Sequence, residues 1–319
     1  MRYKDTPRKA GAGIVVQGMS DSCPLDYRYD PRVLARPAEI IAETLYVAGG
    51  LYGNRFALDT ILELCEKEQS PVTLVFNGDF NWFNTDPDGF VAINHLVSQH
   101  RAIRGNVETE LARDGESADC GCDYPEWVES AVVERSNQIF ARLKTVARRL
   151  PDVQQRLRAL PMNLVADIGG VRIGIVHGDA VSLAGWSFSQ EALCENNSAI
   201  LDWFAAANVT LFACTHTCLP VLQGIGTGMI ANNGAAGMPN FRDSRFGLLT
   251  RISIFRGEGS VLNARLGRLY VDLLPIRYDH ERWLEEFLRN WPPGSPAHES
   301  YFDRIVRGPN YTIAQALRV

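Results

Sequence analysis

Along residues 43–275, short apolar runs rich in β-formers keep ending in polar or glycine-rich turns, with helical stretches between them. Strand candidates fall at 44–48, 72–76, 171–176, 209–213, 229–231, 248–254 and 269–273. Strands alternating with helices specify an α/β layered fold. The turns that follow the runs read GGLYGN, NGDFN, HGDA, THTCLP and NNGAAGMP. In open α/β sheets ligands gather beyond the carboxyl ends of the strands, where turns converge without packing duty. An Asp, an Asn and two His placed in such turns are therefore candidates for one shared site.

The 319 residues suffice for a large core without disulfides or metal staples. The apolar share of 46% and charged share of 22% are ordinary for a globular chain. Lys+Arg 32 against Asp+Glu 37 leaves a formal net charge of −5, which argues against a general nucleic-acid or anionic-membrane binder. No apolar run is long enough to span a membrane. The opening residues lack the continuous apolar patch of a signal peptide, so a cytoplasmic location is expected. Seven scattered cysteines are an odd count, unlike a secreted disulfide framework. Cys65 and Cys194, in apolar contexts, read as core filler.

Prolines 24, 31 and 37 mark residues 1–40 as an arm lying on a main domain at 41–276, with an insertion at about 109–160. Asn54 is a good N-cap for a helix carrying Ala57, Leu58, Ile61, Leu62 and Cys65. A longer helical region covers about 126–150, where Pro151 stops or kinks it. The stripe Trp283, Leu284, Phe287, Leu288 and Trp291 predicts a docked helix within a C-terminal extension at 277–319.

The order of the turns resembles the calcineurin-like metallophosphoesterases, in particular their bacterial diadenosine-tetraphosphatase-like branch. Their motifs run D-x-H-G-N, G-D, G-N-H/x-D/E, H-G and G-H-T-H-x-P. This chain carries GLYGN at 50–54, GD at 78–79, GNVE at 105–108, HG at 177–178 and THTCLP at 215–220. The resemblance implies a four-layer α/β/β/α sandwich of two mixed sheets. It also implies metal-dependent hydrolysis of a phosphomonoester or phosphodiester, with two ions sharing a bridging aspartate. One ion would rest on Asp79, Asn106, His177 and His216, all present. The other would need an Asp, a His and a last His where this chain has Gly50, Tyr52 and Cys218. Aligning His216 with that last His instead would move Pro220 from its usual place. The expectation is therefore a single divalent transition metal (Mn, Fe or Zn), since two imidazoles, a carboxylate and an amide oxygen suit a borderline ion. The family's leaving-group His is replaced by Val107, which transfers no proton. A small phosphate-containing ligand is the expected partner, for an enzyme with one metal or for a catalytically impaired binding protein.

Other residues keep two readings. Asp79 could cap the turn it opens, and the two His could be satisfied core histidines. Arg104 is either a phosphate contact or a solvated surface residue. Tyr52 fills the vacated metal space or touches a ligand. Trp186 and Phe188 either wall a ligand or pack an insertion on the sheet. Asp179 either orients a ligating His or ends a turn. Cys120 and Cys122 are thiols in a tight loop, or part of a metal or redox site joined by Cys23 and Cys218.

Overall fold

The computed structural model describes residues 25–115, 119–195 and 198–318. Residues 1–24, including Cys23, lie outside the described residues. Thirteen strands are present among the described residues: β1 (Ile40–Ala42), β2 (Thr44–Ala48), β3 (Val72–Phe76), β4 (Arg101–Ala102), β5 (Asn163–Ile168), β6 (Val171–Val176), β7 (Leu211–Cys214), β8 (Pro220–Ile225), β9 (Gly228–Asn233), β10 (Gly247–Ser253), β11 (Leu262–Leu266), β12 (Leu269–Ile276) and β13 (Leu317–Arg318). The helices are α1 (Arg55–Lys67), α2 (Pro87–Val97), α3 (Asn106–Ala112), α4 (Ser130–Ala147), α5 (Pro151–Ala159), α6 (Ala199–Ala207), α7 (His280–Asn290), α8 (Pro296–Arg307) and α9 (Ile313–Ala316).

Two mixed sheets form, ordered β1-β5-β6-β7-β9-β8-β13 and β11-β12-β10-β2-β3-β4. The side-chain alternation of β2 shows why they stack. Leu45 and Val47 point between the sheets, against Ile173, Ile175, Leu211 and Ala213. Tyr46 and Ala48 point outward, into a core shared with α1, α2, α4 and α7. On the far side Val165, Val176, Phe212 and Ile230 pack under α6 and Leu34. A strand buried on both faces reads as a continuous apolar run, which is why these strands stood out in the sequence. The result is the four-layer α/β/β/α arrangement. No helix among the described residues is long and apolar enough to cross a membrane.

Local chemistry sets the element ends. Asn54 accepts from the Ala57 N–H and caps α1. Asp86 accepts from Gly89 and caps α2. The helical region expected from about 126 starts as α4 at Ser130, and Pro151 opens α5 at its first turn, where a missing N–H is tolerated. Cys194 is exposed on a short 3-10 turn and fills no core, because that turn lies on the surface after Leu193. Cys65 is half-buried on α1.

The strands that matter for function all deliver turns to one end of the sandwich. β2 and β3 run parallel in one sheet; β6, β7 and β9 run parallel in the other. Across the gap the Asn77 amide donates to the Val176 carbonyl, and within the seven-stranded sheet the Thr215 N–H donates to the His177 carbonyl.

Candidate metal centre

Asp79 sits at the end of the β3 turn with φ 55°, after Gly78 at φ 98°. A Cβ on Gly78 would lie 2.5 Å from His177 Nδ1 and 2.6 Å from Gly105 N, so only glycine admits the approach of the β6 turn and the α3 start. Glu108, fully buried in the first turn of α3, holds this corner. Its carboxylate accepts from the N–H groups of Asp79 (2.7 Å), Gly105 (3.0 Å) and Phe80 (3.1 Å). Burial and the neighbouring Asp79 charge push its carboxyl up to about 7, against the pull of those N–H donors.

The four residues Asp79, Asn106, His177 and His216 converge and are all buried, from 0% to 6% exposed. His177 Nε2 lies 3.1 Å from Asn106 Oδ1, 3.2 Å from His216 Nδ1 and 3.4 Å from Asp79 Oδ1. Ion–ligand bonds of about 2.1 Å place neighbouring donors roughly 3.0–3.4 Å apart, so these separations are those of one ligand sphere. Asp79, His177 and His216 are the group of three such side chains that gathers among the described residues.

Backbone carbonyls decide which atoms face inward. His177 Nδ1 is 2.7 Å from the Asn77 carbonyl, and His216 Nε2 is 3.1 Å from the Cys122 carbonyl. Each pairing assigns the N–H to the outer nitrogen and leaves a lone pair on the inner one. The Asn106 amide nitrogen likewise donates to the Cys120 carbonyl at 2.8 Å, which turns Oδ1 inward. Ligating histidines ordinarily give their second N–H to a carbonyl or carboxylate in this way.

Acceptors crowded around one point require a positive charge there. Burial alone would raise the Asp79 carboxyl, but the two imidazoles and the Val107 N–H pull it below its usual value. His177 is disfavoured as a cation by burial, yet Asp79 raises it above the ordinary histidine range. His216, buried beside His177, is pushed down to about 3. Without a cation, the Asp79 carboxylate favours a proton on His177 at the point where a metal ion would sit. The donors fit a borderline divalent ion.

The neighbouring cavity differs. Gly50 and Tyr52 adopt positive φ of 65° and 56°, and Cys218 one of 62°. The Tyr52 phenol folds over Gly50 and reaches the Cys218 thiol at 2.8 Å. Burial pushes both the phenol and the thiol up, so both stay neutral at neutral pH. Arg304, from α8, donates to the Cys218 carbonyl at 2.6 Å.

A loop at 119–125 roofs the quartet. The Cys122 carbonyl takes the His216 N–H and, at 3.0 Å, the Trp186 indole N–H. Trp186 lies edge-on to His216, ring centres 5.4 Å apart, and contacts Tyr124 and Trp127. Phe188 is core, packed on Trp203 and Phe212. Asp179 serves a turn: its carboxylate accepts from Val181, Ser182 and Ser187 N–H groups. Arg104 follows β4, half-buried, with its Nε buried and unpartnered. Cys120 and Cys122 are buried, and neither joins a group of three ligating side chains among the described residues.

Similar architecture is found in a metallophosphoesterase from Sphaerobacter thermophilus, at TM-score 0.55 and 16% identity over 83% of this chain and 100% of that chain. The chain has the metallophosphoesterase fold. A hypothetical protein, PH1004, from Pyrococcus horikoshii OT3 aligns at TM-score 0.58 and 17% identity, over 85% of this chain and 100% of that one. No family model and no curated protein matches the sequence. Within the metallophosphoesterase fold, Glu108 was legible in GNVE but had no role assigned from sequence, and the orienting carbonyls were missed. Glu108 carries a signal, since an acid three residues after a helix-opening Gly105 is capping-box spacing. The carbonyls of Asn77, Cys120 and Cys122 carry none, because a backbone acceptor is the same at every position.

Proposed function

We propose that this protein hydrolyses a phosphomonoester or phosphodiester with one divalent transition metal (Mn, Fe or Zn) held by Asp79, Asn106, His177 and His216. The observation that carries the reading is the inward set of lone pairs on His177 Nε2, His216 Nδ1 and Asn106 Oδ1, each fixed by a carbonyl behind it. A bound ion supplies a water of lowered pKa and polarises a phosphoryl oxygen. Asp79 brings the negative charge that retains the cation, and Glu108 holds its backbone in place. Trp186 forms a wall beside His216, and Arg104 is the proposed phosphate contact.

A single ion is supported by the adjoining cavity, which holds a neutral phenol, a neutral thiol and the Arg304 guanidinium near them. A cationic side chain there opposes a second cation. The test is elemental analysis of purified protein, with about one equivalent of transition metal expected and none in His216→Ala. Hydrolysis of aryl phosphates with added Mn²⁺ then tests turnover; two equivalents of metal would refute the single-ion reading.

A second reading, a phosphate-ligand-binding protein without turnover, draws support from Val107 and from the roof over the donors. Metal and phosphate binding without hydrolysis of either ester class would select it.

A further inference from the structure

The peptide 120–122 orients two of the four donors, because the Cys120 carbonyl takes the Asn106 amide N–H and the Cys122 carbonyl the His216 N–H. Neither carbonyl can do so unless the peptide is itself fixed. Helix α3 supplies one side of the clamp. Asn106 and Glu110 lie four residues apart in it, and therefore on one helix face. That face meets the peptide twice. Asn106 Nδ2 is 2.8 Å from the Cys120 carbonyl, and a Cβ on Gly121 would fall 3.0 Å from Glu110 Cγ.

Tyr27, from the arm, supplies the other side. It is fully buried, and its phenol donates to Glu110 Oε1 at 2.6 Å. The same phenol oxygen lies against Gly121, where any Cβ would collide with it. Gly121 also has φ 66°, so two separate constraints select glycine there. Arg113 lies over the Tyr27 ring, 5.4 Å from its centre, and pairs with Glu110 at 3.3 Å and Asp26 at 2.6 Å. The arm has its own anchor on the turn after β6. Leu183 N–H donates to the Tyr27 carbonyl at 2.9 Å, and Tyr29 N–H to the Val181 carbonyl at 3.0 Å. The Tyr29 phenol donates to the Asp179 carbonyl at 2.5 Å. Tyr27 thus bridges the turn that carries His177 and the peptide that orients Asn106 and His216. Losing its phenol would leave a buried carboxylate short of a donor and the Gly121 peptide without a stop.

We propose that Tyr27 is a positioning residue of the metal centre: wedged between Glu110 and Gly121, it keeps the Cys120 and Cys122 carbonyls in line with Asn106 and His216. It acts through the peptide and not on the ion. The inference rests on the metal-centre reading given above for the presence of that ion. It makes residues 25–29 of the arm a working part of the site.

The test uses the full chain and the variant Tyr27→Phe, which keeps the ring and loses the phenol. Tyr46→Phe is the matched control, since the Tyr46 phenol donates to Glu68 at 2.7 Å beside the C-terminal end of α1. Three readouts are taken: Tm, Mn²⁺ affinity by competition with a chelator, and hydrogen exchange of residues 119–125 in metal-free protein. Both variants are expected to lose similar thermal stability, while Tyr27→Phe alone binds Mn²⁺ about tenfold more weakly. Exchange at 119–125 is expected to quicken in Tyr27→Phe alone. Unchanged Mn²⁺ affinity in Tyr27→Phe overturns the proposal. So do equal losses of affinity in the two variants, which make the effect one of general stability. Wild-type protein that takes up no Mn²⁺ defeats the metal reading instead. Exchange then decides the clamp, which stands if Tyr27→Phe quickens it at 119–125 and falls if the rate is unchanged.

Discussion

Two cavities lie side by side at one end of the sandwich, and they have opposite characters. One gathers four acceptors, three of them turned inward by carbonyls behind them, around a point that requires positive charge. The other is filled by Tyr52 against Cys218, with the Arg304 cation beside them. The first is organised for an ion, and the second carries its positive charge in a side chain. The comparison teaches that a cavity without metal ligands need not be a void. A tyrosine in the left-handed region and an arginine from a distant helix occupy the place and the charge.

The largest effect expected within this contrast is removal of the ion itself. Asp79→Asn or His216→Ala should abolish metal retention, lowering affinity by more than about 100-fold, as read by elemental analysis after dialysis. Metal retained at wild-type level in both variants would break the comparison at its root. Glu108→Gln comes next. The amide cannot accept three N–H bonds as the carboxylate does, so the Asp79 turn loosens. Metal affinity is expected to fall about 10- to 100-fold, with a measurable drop in Tm.

Proton linkage gives a smaller, graded signal. The His177 proton, held above the ordinary histidine range by Asp79, must leave as a cation enters. Uptake should release about one proton, and apparent affinity should fall roughly tenfold per pH unit below the His177 titration. Affinity rising as pH falls would contradict the assignment of that proton. Smallest is a change in stoichiometry. The variant Gly50→Asp/Tyr52→His/Cys218→His should still hold one equivalent of metal while Arg304 is present, and approach two when Arg304→Gln is added. Two equivalents before that step would show that Arg304 does not exclude the second ion.

Much of this was legible beforehand. β2 and β3 match their sequence candidates at both ends because strands buried on both faces are continuous apolar runs with turns at their limits. Asp79, Asn106, His177 and His216, which the structure brings together, drew attention because each sits in a motif of the family resemblance. β4 has two residues and leaves no period to read. β11 alternates apolar Leu262, Ala264 and Leu266 with Asn263 and Arg265, a pattern too short to separate from a loop. Arg304 was hidden for another reason. On an amphipathic helix, one arginine facing the core looks like any other until the neighbouring turns are placed. Cys120 and Cys122 drew attention for their thiols, whereas the structure uses their carbonyls.

The roof over the quartet has a kinetic consequence. All four donors are almost sealed, and the Cys122 carbonyl that orients His216 is part of the seal. A chelator too large to slip beneath it must wait for residues 119–125 to lift. Stripping of the ion is then first order, at a rate that levels off as EDTA concentration rises, and Trp186→Ala should quicken it by releasing one tether of the loop.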